Sequence, residues 1–325
     1  MHDELLDAWH LPRPRAIVPA RWGINNETWF VDSAAGHHVL RVYAHDRLEP
    51  IRFEHELLAW LAVEGELPFA TPFPLPAAGG DSVAIAATPR GPRPAALFER
   101  LPGDHVDDDD VRSIARGGEA LARLDLALAR RERGDTREPS FTGDLTAIHP
   151  AVDSLVGLAR DIGREPAAFV AQAAEKAGPL HASLPRQVTH GDFGFGNFLV
   201  LDGRVSALLD FELSAWDARA ADLAIGLSLV VSKGTAERLW RPFLRAYLGV
   251  LRLDPVEIAA LPALMRLGDA AAIVWWAGRV REGLAPNSEN ARHTDRALAL
   301  DRWLDANDRE LVAEALLASP LGLAP

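Results

Sequence analysis

The stretch from His190 to Asp210, HGDFGFGNFLVLDGRVSALLD, constrains this 325-residue chain more than any other part of it. It sets an aspartate in a short loop, an asparagine five residues later, two apolar runs split by Asp202-Gly203, and a closing aspartate. Aspartate-glycine between alternating apolar residues is a strong hairpin signal. Phe198–Leu201 and Val205–Leu209 are therefore expected to be strands, entered through the loop that carries Asp192. The segment must fold as strand, loop and hairpin, and the sequence on either side of it reads as two unlike halves.

The N-terminal part, from Ala16 to about Leu101, carries mainly strand and turn signals. Thr28–Asp32 reads as a strand, Ser33–Gly36 as a turn, and His38–Tyr43 as the returning strand. Phe53–Val63 then switches to helical spacing, with Phe53, Leu57, Trp60 and Leu61 on one stripe. A proline-rich connection follows at Pro68–Pro76. Two further strands are expected at Ser82–Ala87 and Ala95–Glu99, with TPRGPRP as the turn between them. Leu101-Pro102-Gly103 breaks this pattern. Beyond it, Val111–Arg130 and Ala220–Leu317 are helical in period, with apolar stripes such as Leu239, Phe243 and Tyr247. The acidic run Asp107–Asp110 is suited to capping the first of these helices. The expected class is α+β, with a lobe at residues 1–101 and a larger, mostly helical one at 102–325.

Composition narrows the functions. The net charge of −12 argues against a broad grip on nucleic acid, which calls for a basic footprint. No cysteine is present, which removes disulfides, thiolate metal sites and a cysteine nucleophile, and fits a reducing cytoplasm. The N-terminus MHDELLDAWHLPRPR lacks a secretory pattern, and no uninterrupted apolar stretch reaches spanning length, so no membrane partner is expected. Lys176 and Lys233 are the only lysines.

Phosphoryl transfer needs few protein groups: a carboxylate that orients a hydroxyl and accepts its proton, hard oxygen ligands for magnesium, and a cation for the phosphates. Asp192 suits the first task, and Asn197 and Asp210 the second. The interval from Asp192 to Asn197 equals that of the protein-kinase catalytic loop, and Asp210-Phe211-Glu212 occupies the place of its D-F-G. Arg41 sits where a protein kinase has its strand lysine, with Glu54 as its expected ion-pair partner and Glu56 as the alternative. A guanidinium fork holds phosphate oxygens well, although it does not replace an ammonium one for one.

These strings resemble the aminoglycoside phosphotransferase and choline kinase superfamily, whose pattern is H-G-D-x-x-x-x-N followed by I/L-D-F/W and then D-L-A, here Asp222-Leu223-Ala224. GINNETWFV, RFEHELLAWL, the LPG hinge, LDFELSAWDARAADLAIGLS and AAIVWWAGRVREG further resemble its type II homoserine kinase-like branch, whereas FELSAWD departs from that branch. The resemblance runs from about Trp22 to Trp303. It implies a bilobal protein-kinase-like fold, ATP and Mg2+ as cofactors, and transfer of the γ-phosphate to a small-molecule hydroxyl acceptor. It further implies that Gly23–Thr28, with Asn26 and Thr28, covers the phosphates, and that the Glu99 carbonyl and Leu101 N–H meet the adenine edge.

An acceptor pocket near the late helix has Trp275, Trp276, Arg279 and Arg281 as candidate lining, although paired tryptophans in a helix also serve as core. An arginine that clamps a carboxylate favours an amino-acid-like or amino-alcohol acceptor, homoserine-like first. An aminoglycoside or sugar acceptor, and a nucleotide-binding pseudokinase without turnover, are the alternatives. The absence of an A-P-E motif after Asp210 speaks against a protein substrate.

Overall fold

The structure, a computed structural model, describes residues 2–13, 16–20, 26–89, 91–107, 110–133, 145, 148–232 and 236–319. The chain forms two compact units. One comprises Met1–His105 with Gly196–Glu212, and the other Val106–Phe195 with Leu213–Pro325.

The first unit is built on a five-stranded antiparallel sheet. Its strands are β1 (Ala16–Pro19), β2 (Glu27–Ser33), β3 (Gly36–Val42), β4 (Ala84–Thr88) and β5 (Gly91–Glu99), in the order β1-β2-β3-β5-β4. The β2–β3 hairpin falls where the alternation places it. Gly36 takes φ 126° at its turn, in a region that side chains avoid. Leu40 and Val42 of β3 are buried in a cluster with Leu5, Leu6 and Trp9 from the N-terminal helix α1 (His2–Leu6) and the 3-10 turn after it. Successive strand residues point to opposite faces. Arg41 therefore looks the other way, toward helix α2 (Leu48–Glu64).

One boundary differs from expectation. Gly91-Pro92-Arg93-Pro94, read from sequence as turn, is the first half of β5. Proline lacks the ladder donor, and its fixed φ suits extended backbone. The pairing accommodates it: residues 91–94 pair with β4 alone, and β3 joins only from Ala95 onward.

A second, three-stranded sheet in this unit comprises β6 (Asp104–His105), β8 (Phe198–Leu201) and β9 (Arg204–Leu208). Asp202 and Gly203 both take positive φ, 50° and 69°, as a tight two-residue turn requires. The hairpin docks onto the proline-rich connection: Ala70 N donates to Ser206 O at 2.9 Å, and Leu208 N to Ala70 O at 3.0 Å. Ser206 Oγ also donates to Pro102 O at 2.7 Å.

The second unit is helical around one small ribbon. Strand β7 (Arg186–Thr189) pairs antiparallel with β10 (Ala215–Ala218), and the chemistry-bearing segment is inserted between them. Helices α3 (Val111–Leu128), α4 (Leu155–Ile162), α5 (Arg164–Ser183), α6 (Ala221–Val231), α7 (Ala236–Leu248), α8 (Pro255–Arg281) and α9 (Asn287–Ala318) make up most of the rest, with α3 packed on β7. Asp110 caps α3, its Oδ1 accepting from Arg112 N and Ser113 N at 3.1 Å each; Asp108 and Asp109 lie outside the described residues. Leu239, Phe243 and Tyr247 form the buried face of α7. Helix α8 alone among the described residues is long and apolar enough to cross a membrane. Most of that window is buried against its neighbours, with Ala270, Ala271, Ile273 and Val274 inside a hydrophobic core cluster.

Candidate active site

In the first unit, strand β3, helix α2 and the end of the β8–β9 hairpin bring three charged residues together. Arg41 Nη1 donates to Glu54 Oε1 at 3.0 Å, and its Nη2 lies 3.4 Å from Asp210 Oδ1. Glu54, and not Glu56, is the partner: helical rotation turns Glu54 into the buried face with Leu57 and Leu58, while Glu56 is exposed. Tyr43 O–H also donates to Glu54, Oε2, at 3.3 Å. Burial works against the Arg41 charge, but Asp210 and Glu54 outweigh it and hold the guanidinium firmly protonated. Burial pushes the Glu54 carboxyl up to about 7; Arg41 opposes the rise, and Glu212 and Asp210 add to it.

Asp210 has φ 64°, a left-handed conformation rare for a side-chain-bearing residue and typical of strained functional positions. Its Oδ1 is buried with the Arg41 ion pair and no hydrogen-bond donor in contact. Leu209 N donates to Asn197 O at 2.8 Å, which closes the hairpin and sets Asn197 beside the residue preceding Asp210. Among the described residues no group of three or more His, Cys, Asp or Glu is arranged to hold a metal ion. Asp210 Oδ1, which accepts no hydrogen bond, and the asparagine whose backbone closes the hairpin are hard oxygen donors of the kind that would suit Mg2+.

Gly23, Ile24 and Asn25 of the expected phosphate-covering segment lie outside the described residues. Asn26 precedes β2, and Thr28 pairs across the ladder with Arg41. Asn26 accepts from Ala44 N at 3.1 Å through Oδ1 and donates through Nδ2 to Glu212. Sequence reasoning did not anticipate this link. Its signal is the glutamate that stands where D-F-G has glycine. Glu99 ends β5 opposite His38, and Leu101 follows it, with Arg100 N donating to His37 O at 3.0 Å.

Asp192 belongs to the second unit, in the loop that leaves β7. The loop is held by its backbone: Asp222, at the start of α6, accepts from His190 N at 2.6 Å and from Gly191 N at 2.8 Å. His190 Nδ1 accepts from Asp192 N at 3.2 Å, and Ser214 Oγ donates to His190 O at 3.2 Å. Gly191 takes φ 81°, and a Cβ there would run into the Leu213 carbonyl, so glycine is required. D-L-A is thus a clamp on the aspartate's loop. Two further residues support that clamp: Asp125 on α3, not singled out from sequence, and Tyr247 on α7, read there only as part of an apolar stripe. A lone aspartate within the apolar run LARLDLALA was the available clue.

The late-helix residues divide. Trp276 is buried, stacked on His293 with centroids 4.9 Å apart, and carries the Arg279 guanidinium 5.5 Å from its ring centre. Arg279 is itself 7% exposed. Trp275 packs on the core cluster and meets His149 edge-on. Arg281 is engaged elsewhere, donating to Asp161 at 2.6 Å and to Ala151 O at 2.5 Å, which ties α8 to α4 and the segment before it.

Known proteins agree with these features. The family model described as the phosphotransferase enzyme family matches residues 16–261. A homoserine kinase of Rhodospirillum rubrum is 31% identical over 272 residues, covering 80% of this chain and 79% of that protein. One from Caulobacter sp. (strain K31) is 30% identical over 253 residues, covering 75% of each. The fold is protein-kinase-like. It is similar to a microcompartment-associated aminopropanol kinase, with TM-score 0.72, 18% identity and coverage of 97% of this chain and 98% of that one. It is also similar to a thermostable aminoglycoside phosphotransferase mutant, with TM-score 0.60, 16% identity and coverage of 90% and 95%. The His190–Asp210 segment, its clamp and the match over most of the length together place the chain in the phosphotransferase enzyme family, whose members act on hydroxyl groups of small molecules.

Proposed function

We propose that this enzyme transfers the γ-phosphate of ATP to the hydroxyl of a small amino-acid-like acceptor, homoserine-like first. The observation that carries the reading is the Arg41–Glu54–Asp210 arrangement: a guanidinium fixed between a helix carboxylate and the aspartate that follows the hairpin. Such a fixed cation, preorganised and partly desolvated, suits a site where phosphate charge must be held in place.

Residues 1–101, with the hairpin that carries Asn197 and Asp210, would bind the nucleotide, and residues from 102 onward would supply Asp192 and the acceptor site. Asn26 and Thr28 would lie over the phosphates, with Arg41 contacting them and Glu54 orienting it. The Glu99 carbonyl and Leu101 N–H would take the adenine edge. Asn197 and Asp210 would hold Mg2+, which would supply neutralisation of the phosphate charge. Asp192 orients the acceptor hydroxyl and receives its proton as the new O–P bond forms. The bond between the γ-phosphorus and its bridging oxygen breaks, and ADP leaves with that electron pair. An ATP-dependent reaction of this kind would run in the cytoplasm.

The acceptor class is supported by the relatives named homoserine kinase and by Arg279. Arg279 is a buried guanidinium braced on Trp276, suited to a carboxylate. Trp275 would shape the same wall from the core side. ADP release from Mg·ATP tests the reading, with homoserine, serine, threonine, hydroxylysine, choline, ethanolamine, sugars and aminoglycosides as acceptors. Homoserine or a close analogue should stimulate the wild type. Asp192→Asn should lose turnover by about 10²–10⁴-fold while still binding ATP. Stimulation by an aminoglycoside or sugar alone would overturn the acceptor class, and an Asp192→Asn enzyme with full turnover would overturn the assignment of the base.

A further inference from the structure

Beneath the His190–Asp192 loop two aspartates face one another in the core. Asp125 and Asp222 are both 0% exposed. Asp222 spends both carboxyl oxygens on the loop backbone, Oδ2 on His190 N and Oδ1 on Gly191 N. Asp125 accepts one hydrogen bond, from Tyr247 O–H to Oδ2 at 2.6 Å, while its Oδ1 is buried with no donor in reach. The Asp125 side chain is set against the Asp222 carboxyl, close enough for each to act on the other. Two carboxylates are acceptors only, so this contact requires one proton.

The surroundings say which aspartate keeps it. Burial pushes the Asp222 carboxyl up, but His190 and the two backbone N–H groups oppose that rise and favour its charged form. Asp125 has a single phenol donor. Burial pushes its carboxyl well above the usual range, and the charge of Asp222 pushes it further. Besides Asp222, the titratable or charged groups that face Asp125 are Tyr247 on α7 and, more remotely, Arg219 after β10. Arg219 is engaged with Glu257. A proton on Asp125 Oδ1 would satisfy that oxygen and let it donate to Asp222. Gln187 Nε2, which donates to the Asp125 carbonyl at 2.9 Å, fixes that turn of α3 against β7.

We propose that Asp125 holds the His190–Asp192 loop in its reactive geometry through a carboxyl–carboxylate hydrogen bond to Asp222, as a positioning residue for phosphoryl transfer. The role in transfer rests on Asp192 being the base proposed above; the shared proton does not. Without the proton, Asp222 has a charged neighbour in place of a donor, and its grip on the two loop amides loosens.

Asp125→Asn keeps the shape and supplies a permanent N–H donor. Asp125→Leu removes donor and acceptor together. Three measurements on the full chain separate the claims. Thermal unfolding from about pH 6 to about pH 9 should show the wild type losing stability relative to Asp125→Asn as pH rises, because only the aspartate must take up a proton to fold. Hydrogen exchange of the peptide spanning the loop should be faster in Asp125→Leu and unchanged in Asp125→Asn, with the wild type approaching the leucine variant at the alkaline end. Turnover on the stimulating acceptor should fall by about a hundredfold in Asp125→Leu with KM for ATP little changed. Asp125→Asn should retain turnover and lose any alkaline decline. Parallel unfolding curves for the wild type and Asp125→Asn would overturn the shared proton. Unchanged loop exchange in a folded Asp125→Leu would overturn the positioning role, and neither result depends on the acceptor. Failure of the wild type on every acceptor would count against the kinase reading and leave those two tests intact.

Discussion

Replacing Glu54 with glutamine isolates one buried proton in the first unit. Glu54 is 2% exposed and its carboxyl accepts from Arg41 at 3.0 Å and Tyr43 at 3.3 Å. Burial is the largest influence on it, and the net result is a rise from 4.5 to about 7, with Arg41 opposing. A rise of that size corresponds to about 3 kcal/mol of difference between the two protonation states. The folded state holds this proton more tightly than the unfolded chain does. Its contribution is therefore complete below about pH 4.5 and is lost progressively as pH rises through about 7. Glutamine keeps the side-chain shape and does not titrate. Urea unfolding of both proteins at a series of pH values measures the effect, since other titrating groups cancel in the difference. The wild type should lose about 2–3 kcal/mol relative to Glu54→Gln between about pH 5 and about pH 8. In thermal scans this is a relative shift on the order of 3–5 °C for a chain of this length. Curves that run parallel across that range would refute the reasoning, because they would mean that Glu54 has the same proton affinity folded and unfolded.

Gly191→Ala forces a side chain into φ 81° and against the Leu213 carbonyl, at the residue before Asp192. Turnover should fall by about a hundredfold or more, because a displacement near 1 Å at the base is enough for that, and the far-UV spectrum should stay native. Arg219→Met leaves Glu257, which is fully buried at the start of α8, without its guanidinium partner. Thermal unfolding should show a loss of about 3–5 kcal/mol, most of it recovered when Glu257→Leu is added, since the cost lies in the unpaired buried charge.

Much of the site was legible in one dimension because its residues sit close together in the chain or obey a strict period. The hairpin needed only alternating apolar residues and Asp202-Gly203, whose positive φ values then follow from local geometry. Glu54 was the better choice over Glu56 because the stripe of Phe53, Leu57 and Leu61 fixes the rotation of α2, and rotation decides which glutamate is buried. The start of β5 was misread because Pro92 and Pro94 are local turn signals. Only the neighbouring strands decide whether their missing donors matter.

By itself the sequence determined the α+β class and the loop-and-hairpin that carries Asp192, Asn197 and Asp210, while the choice between Glu54 and Glu56 as partner of Arg41 stayed open until the structure closed it. The class and the loop-and-hairpin depend on spacing, period and turn chemistry, which act over a few residues. The tertiary structure alone decided what surrounds them. It joined Asn26 to Glu212, 186 positions apart, and set Asp125 of α3 beside Asp222 of α6 and Tyr247 of α7 under the loop amides. It also committed Arg281 to Asp161 while Arg279 stayed braced on Trp276. The reason is physical: a buried polar group must find a partner wherever the packing of other elements delivers one, and no local pattern records which element that will be.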